Sequence, residues 1–393
     1  MSGALQGIRV LDFSAMISGP YCGRLLADLG AEVIKLEPPE GDYMRTRPPL
    51  RDGVSLYFGV LNAGKRSVAL DLKHPDGVAL AKDLAAKADV VIENFRPGVM
   101  ARLGLDYAAL AAFNPRLVFC SISGYGQGGA CASLPAYAPI VQAASGYDLA
   151  NLSHQDERQR PLNTGMFLAD YLTGVHAFGA VCAALVRRDR TGRGEAIDCA
   201  MMDAMLGMLA YEVGEAQERQ PNPRPLYKPT RARDGFIMLA PVSEANFAAM
   251  ARAAGHPEWV GDPRFAGAAR LKNWEAMLAE MDRWAAGKTV AECQAAMDAG
   301  GVPCSRFGTV AQLMASPYAA ERGLFAEVTA GGTRFLATNP PFRMEGAATG
   351  ARLPALGEDG RRVVAEILGR PAQEVERLIR ARILREGTPA APR

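Results

Sequence analysis

Histidine, paired cysteine and an excess of either charge are all scarce in this chain of 393 residues. The four histidines are His74, His154, His176 and His256. None forms a His-x-x-x-His pair or a serine–histidine–aspartate pattern, so metal-hydrolase and serine-hydrolase chemistries lack their parts. The seven cysteines, Cys22, Cys120, Cys131, Cys182, Cys199, Cys293 and Cys304, are odd in number and contain no Cys-x-x-Cys pair. That argues against a disulfide framework or a zinc site and fits buried thiols in a reducing compartment. No metal is expected. Lysine and arginine total 44 against 42 acidic residues. A nucleic-acid surface needs a clustered basic excess, so no nucleic-acid partner is expected. No basic segment followed by an apolar one opens the chain; a signal peptide is not expected, and a cytoplasmic location is. Between Leu162 and Val186 only Asp170 is certain to carry charge, but Asn163, Thr164, Thr173, His176 and three glycines break the run. It is too polar near its start for a membrane span and predicts a buried core helix, with no membrane association.

What is present is an ordinary globular composition, 49% apolar and 22% charged, long enough for about two or three domains. The first two hundred residues alternate strand and helix signals. Gly7–Phe13, Glu32–Leu36, Ser67–Leu72, Asp89–Phe95 and Leu117–Ser123 read as strands. Helices are predicted from Pro20 to Gly30 and from Pro75 to Lys87. This order implies an α/β fold with a parallel sheet and crossover helices. A helix is expected over 200–218. Four prolines between Arg219 and Asp234 then predict a stiff linker. A strand at Phe236–Ala240 and three helices follow, with Ser243 as a cap and Thr289 with Glu292 as a capping box. Gly331–Gly346 reads as turn-rich, and 359–386 as one or two amphipathic helices. The expected division is therefore 1–218, a linker at 219–234, a small domain at 235–330, and 331–393 as a linker and closing segment.

Two nucleotide-binding patterns are decoys. Gly59 to Arg66 nearly matches a phosphate loop, but Arg66 stands where a hydroxyl belongs and the segment runs into a strand. Lys65 and Arg66 remain as a basic pair in a turn, open either to a solvated phosphate or to water alone. Gly124, Gly126 and Gly129 fit GxGxxG, yet no helical face follows. These glycines could still bring backbone N–H groups close to a ligand oxygen. The strongest single signal is Asp170, a carboxylate in a long apolar run, which is costly unless paired or used. A desolvated nucleophile and a helix cap or buried ion pair both fit it.

Six blocks carry a resemblance: VLDFSAMISGPYCGRLLADLGAEVIKLEPPEGD, NAGKRSVALDL, VVIENFRPGVMARLGLDY, SISGYGQGG, ADYLTG and TGRGEAIDCAM. In this order they resemble the family III CoA-transferases, a family that also holds the 2-methylacyl-CoA racemases. The resemblance implies a Rossmann-like large domain completed by the C-terminal segment, a smaller α/β domain, and an interlocked homodimer of ring-like chains. It implies Asp170 as the catalytic carboxylate. Contacts to coenzyme A would fall on Ile17, Ser18, Leu70, Lys73, Asn94, Phe95, Arg96, Arg102 and Tyr137. Oxyanion donors would come from the loop of Gly124, Gly126 and Gln127.

The implied reaction moves CoA from an acyl-CoA donor to a small carboxylic acid through an aspartyl anhydride and an aspartyl-CoA thioester. CoA esters are then substrates, and no cofactor is held permanently. A racemase is the first alternative. It would need a histidine–aspartate pair where this chain has Tyr137 and Ala138, so one of two acid–base groups is missing. A CoA-ester binder without turnover is the second. Lys228–Gly235 lacks the glycine run of the formyl-CoA and oxalate branch, which argues against oxalate. Arg231 and Arg233 in that stretch could instead meet the second carboxylate of a dicarboxylate substrate.

Overall fold

The computed structural model describes residues 3–153, 161, 164–219, 227–241 and 243–387. The chain divides into two compact units, Met1–Ala210 with Glu321–Arg393, and Tyr211–Ala320.

The first unit is built on strands β1 (Arg9–Asp12), β2 (Glu32–Glu37), β3 (Arg66–Leu70), β4 (Val90–Glu93), β5 (Val118–Ser123) and β6 (Ala196–Ala200). Their order in the sheet is β3-β2-β1-β4-β5-β6, all parallel, and the short strand Leu384–Arg385 runs antiparallel along the outer side of β3. Four helices of this unit, α1 (Ser18–Asp28), α2 (Pro75–Ala86), α3 (Ala138–Ala144) and α4 (Leu168–Thr191), flank the sheet and place the polar groups of its crevice. A parallel sheet must be covered on both faces, and its strands accordingly read as apolar runs. Alternate residues feed two cores. Leu11, Ile34, Val91 and Phe119 pack with Leu80, Leu84, Val363 and Leu378. Val10, Val33, Ile92 and Cys120 pack with Leu26, Val181 and Leu185. This strand order reverses direction between β1 and β4, and such a switch point opens a crevice at the carboxyl ends of the two strands.

Several elements depart from the sequence reading. The strand β6 carries no clear sequence signal, because an edge strand with exposed Ala196 and Asp198 lacks an apolar signature. The helix over 200–218 is two helices, Met201–Met208 and Ala210–Gln217, interrupted at Leu209 with φ −91° and ψ 38°. The stretch 331–346 is not only turn. Thr333–Thr338 pairs with Phe325–Ala330 as a hairpin whose Thr333, Phe335 and Ala337 point inward. The tail holds two helices, Gly360–Leu368 and Ala372–Arg380, before its closing strand. The run around Asp170 is helical from Leu168. This helix is long and apolar enough to cross a membrane by composition alone, yet nine of its residues, Asp170 among them, are buried.

The second unit has a three-stranded antiparallel sheet of Cys304–Arg306, Gly235–Leu239 and Thr230–Ala232. Thr230–Ala232 therefore turns the end of the expected linker into a strand; Pro221, Pro223 and Pro225 lie outside the described residues. Helices Glu244–Ala253, Trp274–Ala286 and Val290–Ala299 pack on the sheet around Ile237, Phe247, Met250 and all three tryptophans. Ser243 caps the first of these through a capping box with Asn246, and Thr289 with Glu292 caps the last, satisfying amides the helix leaves unpaired.

Candidate active site

Asp170 stands in the first turn of α4, three residues after the N-cap Phe167. Phe167 offers no capping side chain. Gln142 of α3 does so instead: its Oε1 accepts the Leu168 N–H at 3.0 Å and the Ala169 N–H at 3.5 Å. The second approach to Asp170 comes from α1, whose first residue, Ser18, lines the same pocket with its hydroxyl and backbone N–H toward the carboxylate, where they favour its charged form. Two helix N-termini thus converge on one carboxylate, which is the arrangement that favours negative charge there.

Glycines make the convergence possible. A Cβ at Gly174, one turn along α4 from Asp170, would lie 2.7 Å from the Ser18 carbonyl oxygen. At Gly19 it would lie 2.2 Å from the Ser14 Cβ.

Asp170 is 9% exposed. Burial pushes its pKa up to about 6, and the Ser18 hydroxyl and N–H pull against that rise. No lysine or arginine among the described residues pairs with it, so the ion-pair alternative falls away. Tyr57 and Tyr171 stand nearby with their hydroxyl oxygens 3.4 Å apart, and Tyr21 meets Tyr171 edge-on at 5.0 Å. Burial, and to a smaller degree the charge of Asp170, raises the pKa of both Tyr57 and Tyr171.

Asp170 opens on a pocket of about 230 Å³ that also meets Ser18, Asn94, Phe95, Arg96, Gly124 and Tyr137. Ala15 and Phe95 line this pocket and also a larger cleft of about 730 Å³, which takes in Leu70 and Lys73. Both lie at the crevice between β1 and β4. The remaining sequence candidates fall elsewhere. Ile17 is buried as the N-cap of α1, where its carbonyl accepts the Tyr21 N–H at 2.8 Å. Arg102 ends a short helix at the surface, 3.5 Å from where a Gly98 Cβ would stand. Gln127 is turned away from Asp170. Its N–H donates to Asp198 Oδ2 at 2.8 Å, so this amide is already spent, and Gln127 lines a separate cleft of about 420 Å³ with Glu93 and Asp198. Gly126, at φ +87°, faces the same Asp198. Of the proposed oxyanion loop, Gly124 alone lines the Asp170 pocket.

Glu93 at the end of β4 accepts the Phe95 N–H at 2.8 Å and so shapes the loop carrying Asn94. Burial lifts its pKa to about 7, against the pull of Ser121 and that N–H.

The basic pair beyond Gly64 needs correction. Lys65 is not a solvated turn residue but is buried, with Nζ 2.8 Å from Asp12 Oδ2, 2.8 Å from the Pro20 carbonyl and 2.9 Å from Asn62 Oδ1. Arg66 pairs with Glu32 at 2.6 Å. Sequence reasoning missed Gln142, Tyr57 and Tyr171. The only local signal was a polar residue inside the otherwise apolar α3.

In the second unit, Arg231 is exposed with its guanidinium 4.8 Å over the Phe236 ring. Arg233 sits in the hairpin turn, its N–H on the Lys288 carbonyl at 2.8 Å. Among the described residues no group of three or more metal-ligating side chains comes together.

The sequence model of CoA-transferase family III matches residues 5–360. A succinate–glutarate CoA-transferase of Agrobacterium fabrum is 33% identical, over 92% of this chain and 95% of its own length. An acetyl-CoA:oxalate CoA-transferase of Acetobacter aceti is 37% identical, over 82% of this chain and 85% of its own. Among solved structures, a CaiB/BaiF family protein from Brucella suis superposes with a TM-score of 0.80 at 33% identity, over 93% of this chain and all of that one. The chain therefore belongs to CoA-transferase family III and is an enzyme that transfers coenzyme A.

Proposed function

We propose that Asp170 is the nucleophile of this transfer. The single observation that carries the reading is a buried carboxylate at the first turn of its helix, faced by Ser18 and paired with no cation among the described residues. With a pKa of about 6 it is roughly nine-tenths ionised at pH 7. It needs no general base, and no countercharge blunts it.

A carboxylate oxygen of Asp170 attacks the thioester carbonyl of the donor acyl-CoA. The C–S bond breaks, leaving an acyl-aspartyl anhydride and CoA thiolate. The thiolate attacks the aspartyl carbonyl, releasing the donor carboxylate and leaving an aspartyl-CoA thioester. The acceptor carboxylate attacks that thioester and expels thiolate again. The thiolate then takes the acyl group of the second anhydride, giving the new acyl-CoA and free Asp170. One negative charge passes along and no proton is exchanged, which suits a site with no histidine among the described residues. The Ser18 N–H and the backbone at Gly124 are the donors available to the developing oxyanion. The larger cleft suits the nucleotide end of CoA, with the thioester reaching Asp170 past Phe95.

A dicarboxylate acceptor or donor fits the relatives, whose names carry glutarate and oxalate. The oxalate-named relative is 37% identical to this chain, so the missing glycine run does not by itself argue oxalate away. A homodimer of interlocked chains, a cytoplasmic location, no stable membrane association and no permanent cofactor complete the reading. Mixing the enzyme with donor acyl-CoA alone, quenching in acid and mapping peptides by mass should find CoA bonded to the Asp170 peptide. Turnover without any adduct there, or an adduct on another carboxylate, would overturn the assignment.

A further inference from the structure

Between β1 and α1 the chain crosses five residues, Phe13 to Ile17; the Phe13 N–H still reaches the Ile92 carbonyl at 2.8 Å and the Ile17 carbonyl accepts the Tyr21 N–H, but the peptide groups of Ser14 and Ala15 have no partner in a helix or strand backbone. Side chains answer them instead. The Ser14 N–H donates to Asp12 Oδ1 at 2.9 Å, and the Ser14 carbonyl accepts Lys35 Nζ at 2.7 Å. The Ala15 N–H donates to Asn94 Oδ1 at 2.9 Å, and its carbonyl accepts Asn94 Nδ2 at 2.7 Å. The next residue, Met16, has φ +67°, a left-handed conformation that an unbranched non-glycine residue adopts only when its surroundings impose it. Ile17 then caps α1, and Ser18 meets Asp170 with both its donors.

Among the described residues, Lys35 is the one cation that hydrogen-bonds the turn itself. It is 2% exposed and pairs with Asp42 at 2.9 Å. Asp12 and Glu37 also face it. Asp42 in turn accepts the Met44 N–H at 2.9 Å and lies 3.5 Å from the Met16 nitrogen. A lysine present only to balance Asp42 would have no need to reach the Ser14 carbonyl. Without it, that carbonyl loses its partner and two carboxylates beside the turn lose a shared countercharge.

We propose that Lys35 is a positioning residue for CoA transfer: it holds the turn at Ser14 so that Met16 stays left-handed and Ser18 keeps both donors on Asp170. The inference rests on the reading of Asp170 as nucleophile. It makes the conformation of Met16 the point through which Lys35 acts, and that gives a test which a purely structural role fails.

Lys35→Met should lower kcat by about 30-fold and raise the acid limb of the kcat–pH profile by roughly one unit, because the carboxylate loses hydrogen bonds that favour its charged form. The other titratable groups facing Asp170, Tyr57 and Tyr171, stay neutral over that range. Glycine carries no penalty at positive φ. Measured against Met16→Gly alone, Met16→Gly added to Lys35→Met should lose at least ~5-fold less of kcat than Lys35→Met loses from the wild type. Met16→Ile leaves the buried charges alone and should reproduce both the slowing and the shifted limb, which serves if Lys35→Met does not fold. An unshifted limb in folded Lys35→Met, an undiminished loss in the Met16→Gly background, or a Met16→Ile enzyme at wild-type speed would overturn the proposal. Asp170→Asn, measured alongside, separates the failures: if it keeps turnover, the nucleophile assignment falls, whatever Lys35 does.

Discussion

Asp12, at the end of β1, and Asp170, in the first turn of α4, are both buried, yet their chemistry runs in opposite directions. Asp12 is fully buried. Burial pushes its pKa up, but Lys65 and Lys35 outweigh that and the net shift is downward. Asp170 receives the same push and only the Ser18 donors in return, so its pKa ends near 6. A neighbouring lysine locks a carboxylate into structure. Two N–H or O–H donors steady it and leave its charge available. The lesson is that the counter-ion, rather than the depth of burial, separates a scaffold carboxylate from a reactive one.

Parallel Asp→Asn substitutions sharpen that contrast most. Asp170→Asn should cost at least ~10³-fold in turnover, about 4 kcal/mol of barrier. The same change should raise thermal stability at pH 7. Asp170 titrates higher in the folded than in the unfolded chain, so its ionisation between about pH 4 and pH 6 weakens the fold, and neutral Asn removes roughly 1–3 kcal/mol of that cost. A calorimetric melt with lowered or unchanged Tm would break the comparison.

Asp12→Asn should do the reverse and lose about 3–5 kcal/mol of stability, since Lys65 is left as a buried charge without its carboxylate. Asp12 titrates lower when folded than its ordinary value of 3.8. Its contribution is therefore present above that value and disappears as pH falls through the folded pKa. All three tryptophans lie in the second unit. Far-UV circular dichroism should follow the loss in the first unit, while tryptophan fluorescence reports on the other.

Gly174→Ala places a methyl against the Ser18 carbonyl. It should slow turnover by about 10- to 100-fold while leaving acyl-CoA affinity nearly unchanged, because a small misplacement at the reacting group is enough. Equal kcat would show that α1 and α4 need no such close approach. For the wild-type enzyme, kcat should halve near pH 6 and fall about tenfold for each further unit of acid, as the carboxylate is protonated. A limb near pH 4 would mean that Asp170 is solvated after all. The smallest effect is expected in the second unit. Arg231→Ala and Arg233→Ala should raise KM for dicarboxylates by about 5- to 20-fold and leave monocarboxylates alone. Equal kinetics for butyrate and succinate would remove the idea.

The parallel sheet was legible because each of its first five strands carries two or three of Val, Ile and Leu between helix signals, and the caps at Ser243 and Thr289 were legible because their partners sit three residues away. Asp170 stood out against an apolar run. What could not be read were pairings across long stretches of chain. Nothing near Lys65 announces Asp12, and nothing near Asp170 announces Ser18 as its donor or Gln142 as the cap of its helix. β6 and Thr333–Thr338 were missed because each has only one apolar face and short, mixed side chains. Gln127 was misplaced because a glycine-rich loop shows that the backbone can turn and gives no sign of the direction.

The strand Leu384–Arg385 pairs with Leu70 and Ala69 on β3, and Leu70 lines the larger cleft. A ribosome making this protein must therefore finish the whole second unit before one edge of the main sheet can be covered. Until then β3 offers unpaired N–H and C=O groups to any other strand. Expression at high temperature, or trimming of the last turns of sequence, falls on that open edge first, and the damage reaches a substrate cleft built from residues made three hundred codons earlier, roughly.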